Sequence, residues 1–297
     1  MLNKITDFVY RMYRIIVRQM IKYSSNPRPT SYPFITGDGF RALAQHIYDD
    51  LHPTIDPGVV KENDIVFVGD SRIKNFLKKI NPDIKNKYVL ITHNGDESVD
   101  EEAASMMSDN IIKWYGINVT TTHPKIIPIP LGLGNKHYYV TGIPSIFINT
   151  AKKNYKKNNK IFYGFITSTN PAEREPALAI IKRNKFAETV VKWLSFQKYM
   201  RLLATYKLVL SPPGSSVEGH RTWEALYVGV IPIVKSSVTM DYFKKLNMPL
   251  WVVKDWNEID KIDEKAIEEN FDKLTRTGSQ EVLYMNYWKD KIMSHKD

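Results

Sequence analysis

One stretch of the sequence reads Tyr206-Lys-Leu-Val-Leu-Ser-Pro-Pro-Gly-Ser-Ser-Val-Glu-Gly-His-Arg-Thr-Trp-Glu-Ala-Leu-Tyr-Val-Gly-Val-Ile-Pro-Ile-Val234. Residues 206–210 and 230–234 are apolar runs of strand type. Between them lie a loop that contains Gly214 and a helical pattern that ends near Leu226. A strand that leads through a glycine-containing loop into a helix and a second strand is the repeating unit of a parallel sheet. The stretch therefore predicts the α/β class.

The rest of the chain repeats this alternation of short apolar runs and helix-length segments. Strands are predicted at 64–69, 88–92, 111–115, 125–130, 161–166, 189–193 and 250–253. Helices are predicted at 40–51, between residue 71 and residue 80, between residue 171 and residue 181, at 196–205 and from about 263 onward. The lysine- and asparagine-rich segment Ala151–Lys160 is the best candidate for a linker, because the pattern starts again after it. We therefore expect two successive α/β domains with a cleft between them.

Composition limits the class of protein. The 297 residues include no cysteine, which excludes disulfides and thiolate metal sites and suits a cytoplasmic, reducing compartment. The net charge of +10 attracts polyanions in general. The lysine cluster at 152–160 lacks an arginine-rich tail or the aromatic motif of an RNA-binding domain. A solvated surface loop is therefore favoured there, and no nucleic-acid partner is expected.

The N-terminal segment 1–25 carries five cations that fall on one stripe of a helix, with apolar residues covering most of the remainder. These cations are Lys4, Arg11, Arg14, Arg18 and Lys22. They are too frequent for a signal peptide or a membrane span. Two interpretations remain. Residues 1–24 form a basic amphipathic helix that lies peripherally on an anionic membrane surface, or they pack on the protein's own body with the cations facing water.

The glycine loop and the helix after it have the composition of a site for a nucleoside diphosphate. We expect Ser215 and Ser216 to cap the helix, whose free N–H groups and positive dipole end would face a diphosphate. His220 and Arg221 can donate to phosphate oxygens, and Glu224 can accept hydrogen bonds from ribose hydroxyls. The predicted donor-binding residues are Ser211, Pro213, Gly214, Ser215, Ser216, Glu218, Gly219, His220, Arg221 and Glu224, with Arg174 after the polar turn 167–170. Arg174 could reach the diphosphate from the other side, or it could pair with Glu173 or Glu175 instead. Turns of this kind also occur where nothing binds, so the residues alone leave a structural turn as the alternative.

Residues 211–234 resemble the donor-binding segment of the exostosin-like glycosyltransferases. The likeness is ungapped and includes the small-residue turn, the basic-x-x-Glu-Ala-Leu helix and the Gly-x-Ile-Pro-Ile-Val strand that follows. Further pieces at 89–96, 113–115, 123–132, 162–165 and 169–174 are similar to the same family. The resemblance therefore extends from about Phe34 to about Val253.

The resemblance implies a GT-B fold, in which two Rossmann-like domains face each other across a cleft. Residues 26–152 would form the acceptor domain, residues 153–275 the nucleotide-sugar donor domain, and residues 276–297 a helix that crosses back to the first domain. The implied activity is transfer of a single sugar to a glycan, glycolipid or glycoprotein hydroxyl, and we expect a UDP-sugar donor and inversion. No prosthetic group is expected. Such enzymes generally need no metal, and the sequence contains no Asp-x-Asp triplet. The alternatives are a retaining or GDP-sugar-using transferase of the same fold and a non-catalytic module that binds sugar nucleotides or glycans.

An inverting transfer needs a base that deprotonates the acceptor hydroxyl, and in this fold it should come from the first domain at the carboxyl end of a strand. We favour Asp96 as the catalytic residue, with His93 as its rival and Asp70 third. For each of them, hydrogen bonding to its own loop is the structural alternative.

Overall fold

The structure is a computed structural model, and it describes residues 26–69, 72–190 and 194–295 together with Met12 and Ile16. Within these residues, ten strands form two parallel sheets of five strands each. The first sheet has the order β1-β2-β3-β4-β5, and its strands are His46–Tyr48, Asp64–Gly69, Tyr88–His93, Ile111–Gly116 and Ile126–Pro128. The second sheet has the order β10-β9-β8-β6-β7, and β6 to β10 are Asn158–Phe162, Ala187–Glu188, Tyr206–Leu210, Ile231–Lys235 and Trp251–Val253.

Helices connect these strands, as the crossovers of parallel sheets require. In the first half they are α1 Gly37–Arg41, α2 Ile73–Lys79, α3 Glu101–Ser105 and α4 Pro144–Ala151. In the second half they are α5 Pro171–Ile181, α6 Phe196–Leu203, α7 His220–Leu226, α8 Val238–Lys245, α9 Glu264–Thr277 and α10 Met285–Met293. Short 3-10 turns lie at Pro57–Val59, Asn81–Asp83, Lys136–Tyr138, Thr167–Thr169, Trp256–Lys261 and Glu281–Leu283.

The central strands of the first sheet are buried on both faces. In β2, Ile65 and Phe67 belong to a core cluster that also includes residues of the second half. Val66 and Val68 point to the opposite face and belong to a separate cluster. Strands covered by helices on both sides are apolar at successive positions, and for this reason they were visible in the sequence as continuous runs.

The two halves are joined by buried hydrogen bonds and by the last helix. The hydroxyl of Tyr227 accepts a hydrogen bond from the backbone N–H of Ile35 at 3.1 Å and donates one to the carbonyl of Leu283 at 2.8 Å. The hydroxyl of Tyr115, on β4, donates to the carbonyl of Lys291, on α10, at 3.0 Å. Two Rossmann-like α/β sheets held together in this way confirm the α/β class and the GT-B architecture expected from the sequence.

The helix predicted at 40–51 is wrong. Helix α1 ends at Arg41, and His46–Tyr48 instead pair in parallel with β2 as an edge strand. Gln45 anchors this strand, because its backbone N–H donates to the carbonyl of Ile65 at 3.0 Å and its side-chain oxygen accepts from the N–H of Ile65 at 2.8 Å. Pairing with the free edge of β2 therefore outweighs the apolar spacing that favours a helix at 40–51.

Two other boundaries shift. The strand predicted at 161–166 is Asn158–Phe162, so it begins inside the segment that we took as a linker. The strand predicted at 189–193 is the two-residue strand Ala187–Glu188, and residues 189 and 190 follow it without regular structure. Residues 191–193 lie outside the described part of the chain.

The predicted amphipathic helix at 1–25 lies outside the described residues except for Met12 and Ile16, whose side chains are exposed. Within the described ranges, no helix is long and apolar enough to cross a lipid bilayer.

Candidate active site

A cavity of about 620 Å³ lies between the two halves. One wall is formed by the loop after β3, from His93 to Glu97, and the other by the loop after β8, from Gly214 to His220. The second sheet changes direction at this place, since β7 lies on one side of β6 while β8, β9 and β10 continue on the other. Open parallel sheets bind ligands at such a switch point, outside the carboxyl ends of the strands. The volume is that of a site for a small-molecule substrate.

Gly37 allows the first half to approach the cavity closely. A Cβ atom at this position would lie 1.7 Å from Oδ1 of Asn94 and 2.4 Å from Nδ1 of His93. Asn94 itself has a φ of 68°, in the left-handed region that asparagine tolerates better than most residues. Its Oδ1 accepts a hydrogen bond from Nδ2 of Asn135 at 2.8 Å. Gly37, Asn94 and Asn135 line the cavity but were not identified from the sequence.

Arg174 brings a cation to the second-half wall. Its Nε donates to the carbonyl of Pro213 at 2.8 Å, and its Nη1 donates to the carbonyl of Ile166 at 2.7 Å and to the hydroxyl of Thr169. Burial, and then repulsion from Arg221, lower the pKa of this guanidinium. Arg174 therefore lies against the donor loop, and its role in binding the diphosphate stays a prediction.

The glycine of the donor loop makes room for that cation. A Cβ atom on Gly214 would lie 2.8 Å from Nη2 of Arg174. The carbonyl of Gly214 accepts a hydrogen bond from Nδ2 of Asn170, the N-cap residue of α5, at 3.0 Å. Arg174 does not pair with Glu173, because that carboxylate accepts from Nζ of Lys235 at 2.8 Å. The guanidinium thus remains directed to the loop at the cavity.

Helix α7 begins at His220 and its N-cap is Gly219, with no side-chain cap. The prediction that Ser215 and Ser216 cap this helix is therefore wrong. The hydroxyl of Ser216 donates instead to Oδ1 of Asp96 across the cavity, at 3.0 Å. The backbone N–H groups of the first turn of α7 consequently have no side-chain acceptor from a cap residue.

The predicted donor-binding residues divide into two groups. Seven of them line the cavity, namely Arg174, Gly214, Ser215, Ser216, Glu218, Gly219 and His220. The others do not line it, namely Ser211, Pro213, Arg221 and Glu224. The hydroxyl of Ser211 is buried and bonded to the hydroxyl of Thr222 at 2.9 Å. Pro213 contributes its carbonyl to Arg174.

Glu218 is buried and forms hydrogen bonds to both halves of the chain. Its carboxylate accepts from Nε1 of Trp223 at 2.7 Å and from the backbone N–H of Leu131, in the first half, at 3.2 Å. Burial raises the pKa of Glu218 to about 8, although both hydrogen bonds act in the opposite direction. Its oxygens are therefore engaged within the protein, in contrast to the predicted donor-binding role.

A second polar group lies beside the cavity lining, at the carboxyl end of β6. Nη2 of Arg221 donates to the carbonyl of Gly164. Within the described part of the chain, Nε of Arg221 and the hydroxyl of Tyr199 are buried without a hydrogen bond of good geometry. Burial raises the pKa of Glu224 to about 7, and the charge of Arg221 opposes this. Tyr199 was not identified from the sequence, because a single tyrosine in the amphipathic helix Phe196–Leu203 gives no signal of a polar role.

The three candidates for the base differ in what the structure shows. Asp96 is exposed and lines the cavity. His93 is buried, its Nε2 donates to the carbonyl of Pro130 at 3.0 Å, and its Nδ1 accepts from the N–H of Asn94 at 2.7 Å. Burial lowers the pKa of His93 to about 4. With both ring nitrogens engaged, His93 has no nitrogen left for a substrate. Asp70 lies outside the described residues.

Over residues 26–69, 72–190 and 194–295, no three His, Asp or Glu side chains come together in a group that could hold a metal ion. The expectation that the reaction needs no metal stays a prediction.

Residues 146–295 match the family model described as the RXYLT1 C-terminal domain, which is an exostosin-like xylosyltransferase family. The match contains the donor loop, Arg174 and helix α7. No curated protein matches the chain by sequence.

Several solved structures are similar in fold. One is the E. coli trehalose-6-phosphate structure bound with UDP-2-fluoro glucose, at 10% identity and a TM-score of 0.45, with 81% of this chain and 74% of that chain covered. A UDP-forming trehalose-phosphate synthase from Burkholderia vietnamiensis has 7% identity and a TM-score of 0.44, covering 80% and 76%. HepE of Anabaena in complex with UDP-glucose has 10% identity and a TM-score of 0.44, covering 77% of each chain. At these values the similarity does not extend to a ligand or a reaction.

Proposed function

The chain belongs to the family of the RXYLT1 C-terminal domain and is an exostosin-like glycosyltransferase, and we propose that it transfers one sugar from a UDP-sugar to a hydroxyl of a glycan, glycolipid or glycoprotein, with inversion. The cavity between the two halves carries this proposal. It brings together a cation, the start of a helix and two groups that can accept a proton, at the switch point of the second sheet. A sugar transfer needs these three functions at one place.

The diphosphate is proposed to bind at the second-half wall. Arg174 and the backbone N–H groups at the start of α7 both favour negative charge there. Their contribution is larger in the transition state, because charge accumulates on the leaving diphosphate as the bond to the sugar breaks. Ser215 and Gly214 lie between them and offer small side chains, so phosphate oxygens can reach the backbone.

The nucleoside is proposed to bind toward the carboxyl end of β6. Arg221, Glu224 and Tyr199 form a buried polar group there, in which Nε of Arg221 and the hydroxyl of Tyr199 have no hydrogen bond of good geometry among the described residues. Leaving such atoms without a partner costs about 1–3 kcal/mol each, so a ligand that satisfies them is stabilised. Ribose hydroxyls, which both donate and accept, suit a carboxyl of raised pKa beside a guanidinium.

In this proposal residues 153–275 hold the donor and residues 26–152 present the acceptor. The acceptor hydroxyl approaches from the wall that includes Asn94 and Asp96. Asp96 and His220 face the cavity and can take its proton, whereas His93 uses both of its ring nitrogens within the protein. The carboxylates of Glu97 and Glu218 also line the cavity and accept hydrogen bonds from backbone N–H groups of the protein.

The first experiment is a thermal-shift panel of UDP, GDP and their sugars against the wild type and Arg174→Met. A ligand at 100 times its Kd stabilises the folded state by about 2.7 kcal/mol. For a chain of this length that raises the Tm by roughly 4 °C. We expect a shift with uridine nucleotides that is much reduced in Arg174→Met, because the loss of the cation weakens diphosphate binding.

Arg183→Met is the matched control. Arg183 follows the same helix, is exposed, and makes a loose 3.6 Å ion pair with Asp260. Its replacement should leave the ligand-induced shift unchanged. A wild-type protein with no shift for any nucleotide would remove the proposed function, and a shift with GDP alone would replace uridine by guanosine. Binding without turnover would favour a non-catalytic module.

The cationic stripe of the N-terminal segment supports a separate proposal of association with an anionic membrane surface. Deleting residues 1–24 should abolish co-sedimentation with phosphatidylserine vesicles. Undiminished co-sedimentation of the truncated protein would refute it.

A further inference from the structure

His220 is held in one tautomer by the other half of the chain. Its Nδ1 lies 2.8 Å from the carbonyl oxygen of Gly132. Because a carbonyl oxygen can only accept a hydrogen bond, Nδ1 carries the hydrogen. In the neutral ring Nε2 then has a lone pair, and among the described residues no group hydrogen-bonds to it. The ring is exposed and lines the cavity.

The carbonyl that selects this tautomer is itself fixed. Gly132 has a φ of +68°, and a Cβ atom at this position would lie 2.3 Å from the carbonyl oxygen of Ile35. The next residue, Leu133, donates its backbone N–H to that same oxygen at 2.8 Å. The loop after β5 is therefore pinned to the segment before α1, and its carbonyl points at the ring of His220.

Desolvation favours the neutral form of the ring, and the charge of Asp96 opposes it. His220 is open to the cavity on one side, but the protein atoms packed around its ring displace water, and this desolvation is the largest cause that lowers the pKa of His220. The hydrogen bond to the carbonyl of Gly132 acts in the opposite direction. Asp96, in the loop after β3, raises the pKa of His220. The charged form of His220 in turn lowers the pKa of His93, at the end of β3. Two further ionisable residues line the cavity on the same wall as His220, namely Glu218, which precedes α7, and Arg174. A positive helix terminus also disfavours an imidazolium at its first residue.

A neutral ring with this tautomer cannot donate to a phosphate, so the predicted role of His220 as a phosphate donor is at odds with the geometry. Nε2 can only accept. What reaches it must bring an O–H or N–H group, and in a sugar transfer the acceptor hydroxyl is such a group.

We propose that Nε2 of His220 takes the proton of the acceptor hydroxyl during transfer, an inference that rests on the proposed function. The O–H bond breaks and its hydrogen goes to Nε2. The oxygen forms the new bond to the anomeric carbon, and the bond from that carbon to the diphosphate breaks, with the electron pair leaving on the diphosphate. The products are the glycoside, the nucleoside diphosphate and an imidazolium, which then loses its proton to solvent.

Asp96 has a supporting role in this arrangement. Its carboxylate accepts from Ser216 at 3.0 Å and interacts electrostatically with His220. A negative charge at this distance favours the imidazolium that the step creates. Asp96 is therefore a positioning and charge-stabilising residue, and its loss should be milder than the loss of His220.

The test compares His220→Asn with Asp96→Asn. The amide Nδ2 of asparagine can occupy the position of Nδ1 and preserve the hydrogen bond to Gly132, while the accepting nitrogen is deleted. Turnover is followed as release of UDP from the UDP-sugar that gives the largest thermal shift, with a panel of methyl glycosides and water as acceptors. We expect His220→Asn to lower kcat by about 10²–10⁴-fold, to keep the UDP-induced shift and to lose the acidic limb of the pH–rate profile.

The pH profile separates the two residues. In the wild type, turnover should fall as pH drops through the pKa of His220, because the protonated ring has no lone pair. Asp96→Asn removes a charge that raises this pKa, so the acidic limb should move to lower pH and remain visible. The inference is overturned if His220→Asn retains turnover within tenfold while Asp96→Asn abolishes it.

A spectroscopic measurement does not depend on turnover. In protein labelled with ¹⁵N-histidine, two-bond ¹H–¹⁵N correlations assigned by loss of signal in His220→Asn should show the neutral Nδ1–H tautomer at pH 7. An Nε2–H tautomer, or a protonated ring at pH 7, would also refute the inference. These results are independent of nucleotide binding, so a failure here is distinct from a failure of the proposed function.

Discussion

Replacing Glu218 by glutamine should change how stability depends on pH. Burial raises the pKa of Glu218 from the 4.5 of an exposed glutamate to about 8. The folded state therefore holds this proton more tightly than the unfolded state, and the wild-type free energy of unfolding falls as pH rises from 4.5 to 8. At 1.36 kcal/mol for each pKa unit, the loss between pH 4.5 and pH 7 is about 3 kcal/mol. Glutamine does not titrate, so Glu218→Gln lacks this loss.

The assay is thermal unfolding of both proteins at pH 4.5 and pH 7. The NH2 group of the glutamine faces the N–H donors of Leu131 and Trp223, and this mismatch costs the same stability at both pH values. The change in the Tm difference between the two proteins from pH 4.5 to pH 7 therefore reports only the protonation of Glu218. Relative to the wild type, the Tm of Glu218→Gln should be higher at pH 7 than at pH 4.5 by roughly 5 °C. Glu269→Gln is the control, because Glu269 is an exposed partner of Lys265. An equal Tm difference at both pH values would show that Glu218 is ionised in the folded protein and that the burial argument fails.

Three further substitutions test other parts of the structure. Gly37→Ala should lower the Tm and impair nucleotide-sugar turnover, because its Cβ would overlap Asn94; overpacking of this kind typically costs about 1–3 kcal/mol, and an unchanged melting curve would contradict this. Burial lowers the pKa of Lys157 to about 8, so the wild type should gain stability as pH rises from 8 toward 10.5 while Lys157→Met does not, as measured by Tm at pH 8 and pH 10. Tyr199→Phe removes a buried hydroxyl that has no good partner among the described residues; it should keep or raise the Tm and weaken the UDP-induced shift, and an unaltered shift would exclude this hydroxyl from the nucleoside site. The matched control for Gly37→Ala is Gly39→Ala, because the atom nearest to a Cβ at position 39 is the flexible Sδ of Met285, at 3.1 Å.

Local pattern identified the strands wherever burial is two-sided. Residues 65–68 and 88–91 are apolar at successive positions, and the structure places both in inner strands of the first sheet. The same reasoning failed at 40–51, since the apolar spacing there fits a helix and the pairing edge that converts 46–48 to a strand comes from β2, about twenty residues later. Edge pairing is a tertiary contact, and no local propensity reports it.

The candidate site shows the same division. Strand, glycine loop and helix follow from residues 206–226, so the position of the donor loop at a strand's carboxyl end was predictable. The N-cap was not, because the hydroxyl of Ser216 is drawn to Asp96, 120 residues earlier in the chain. Arg174 was expected to reach the diphosphate from the other side, and its contact with the backbone of Pro213 in the donor loop depends on folding.

The sequence by itself determined the α/β class, the positions of most strands along the chain and the polar residues at their ends. These features depend on the period of apolar residues and on residue type over a few neighbours. Only the tertiary structure decided what those polar residues can do. His93 loses both ring nitrogens to the carbonyl of Pro130 and the N–H of Asn94, whereas His220 has its tautomer set by the carbonyl of Gly132, 88 residues away. Tautomer and proton affinity depend on burial and on backbone groups that folding brings into contact, and neither is encoded in the residues next to a histidine.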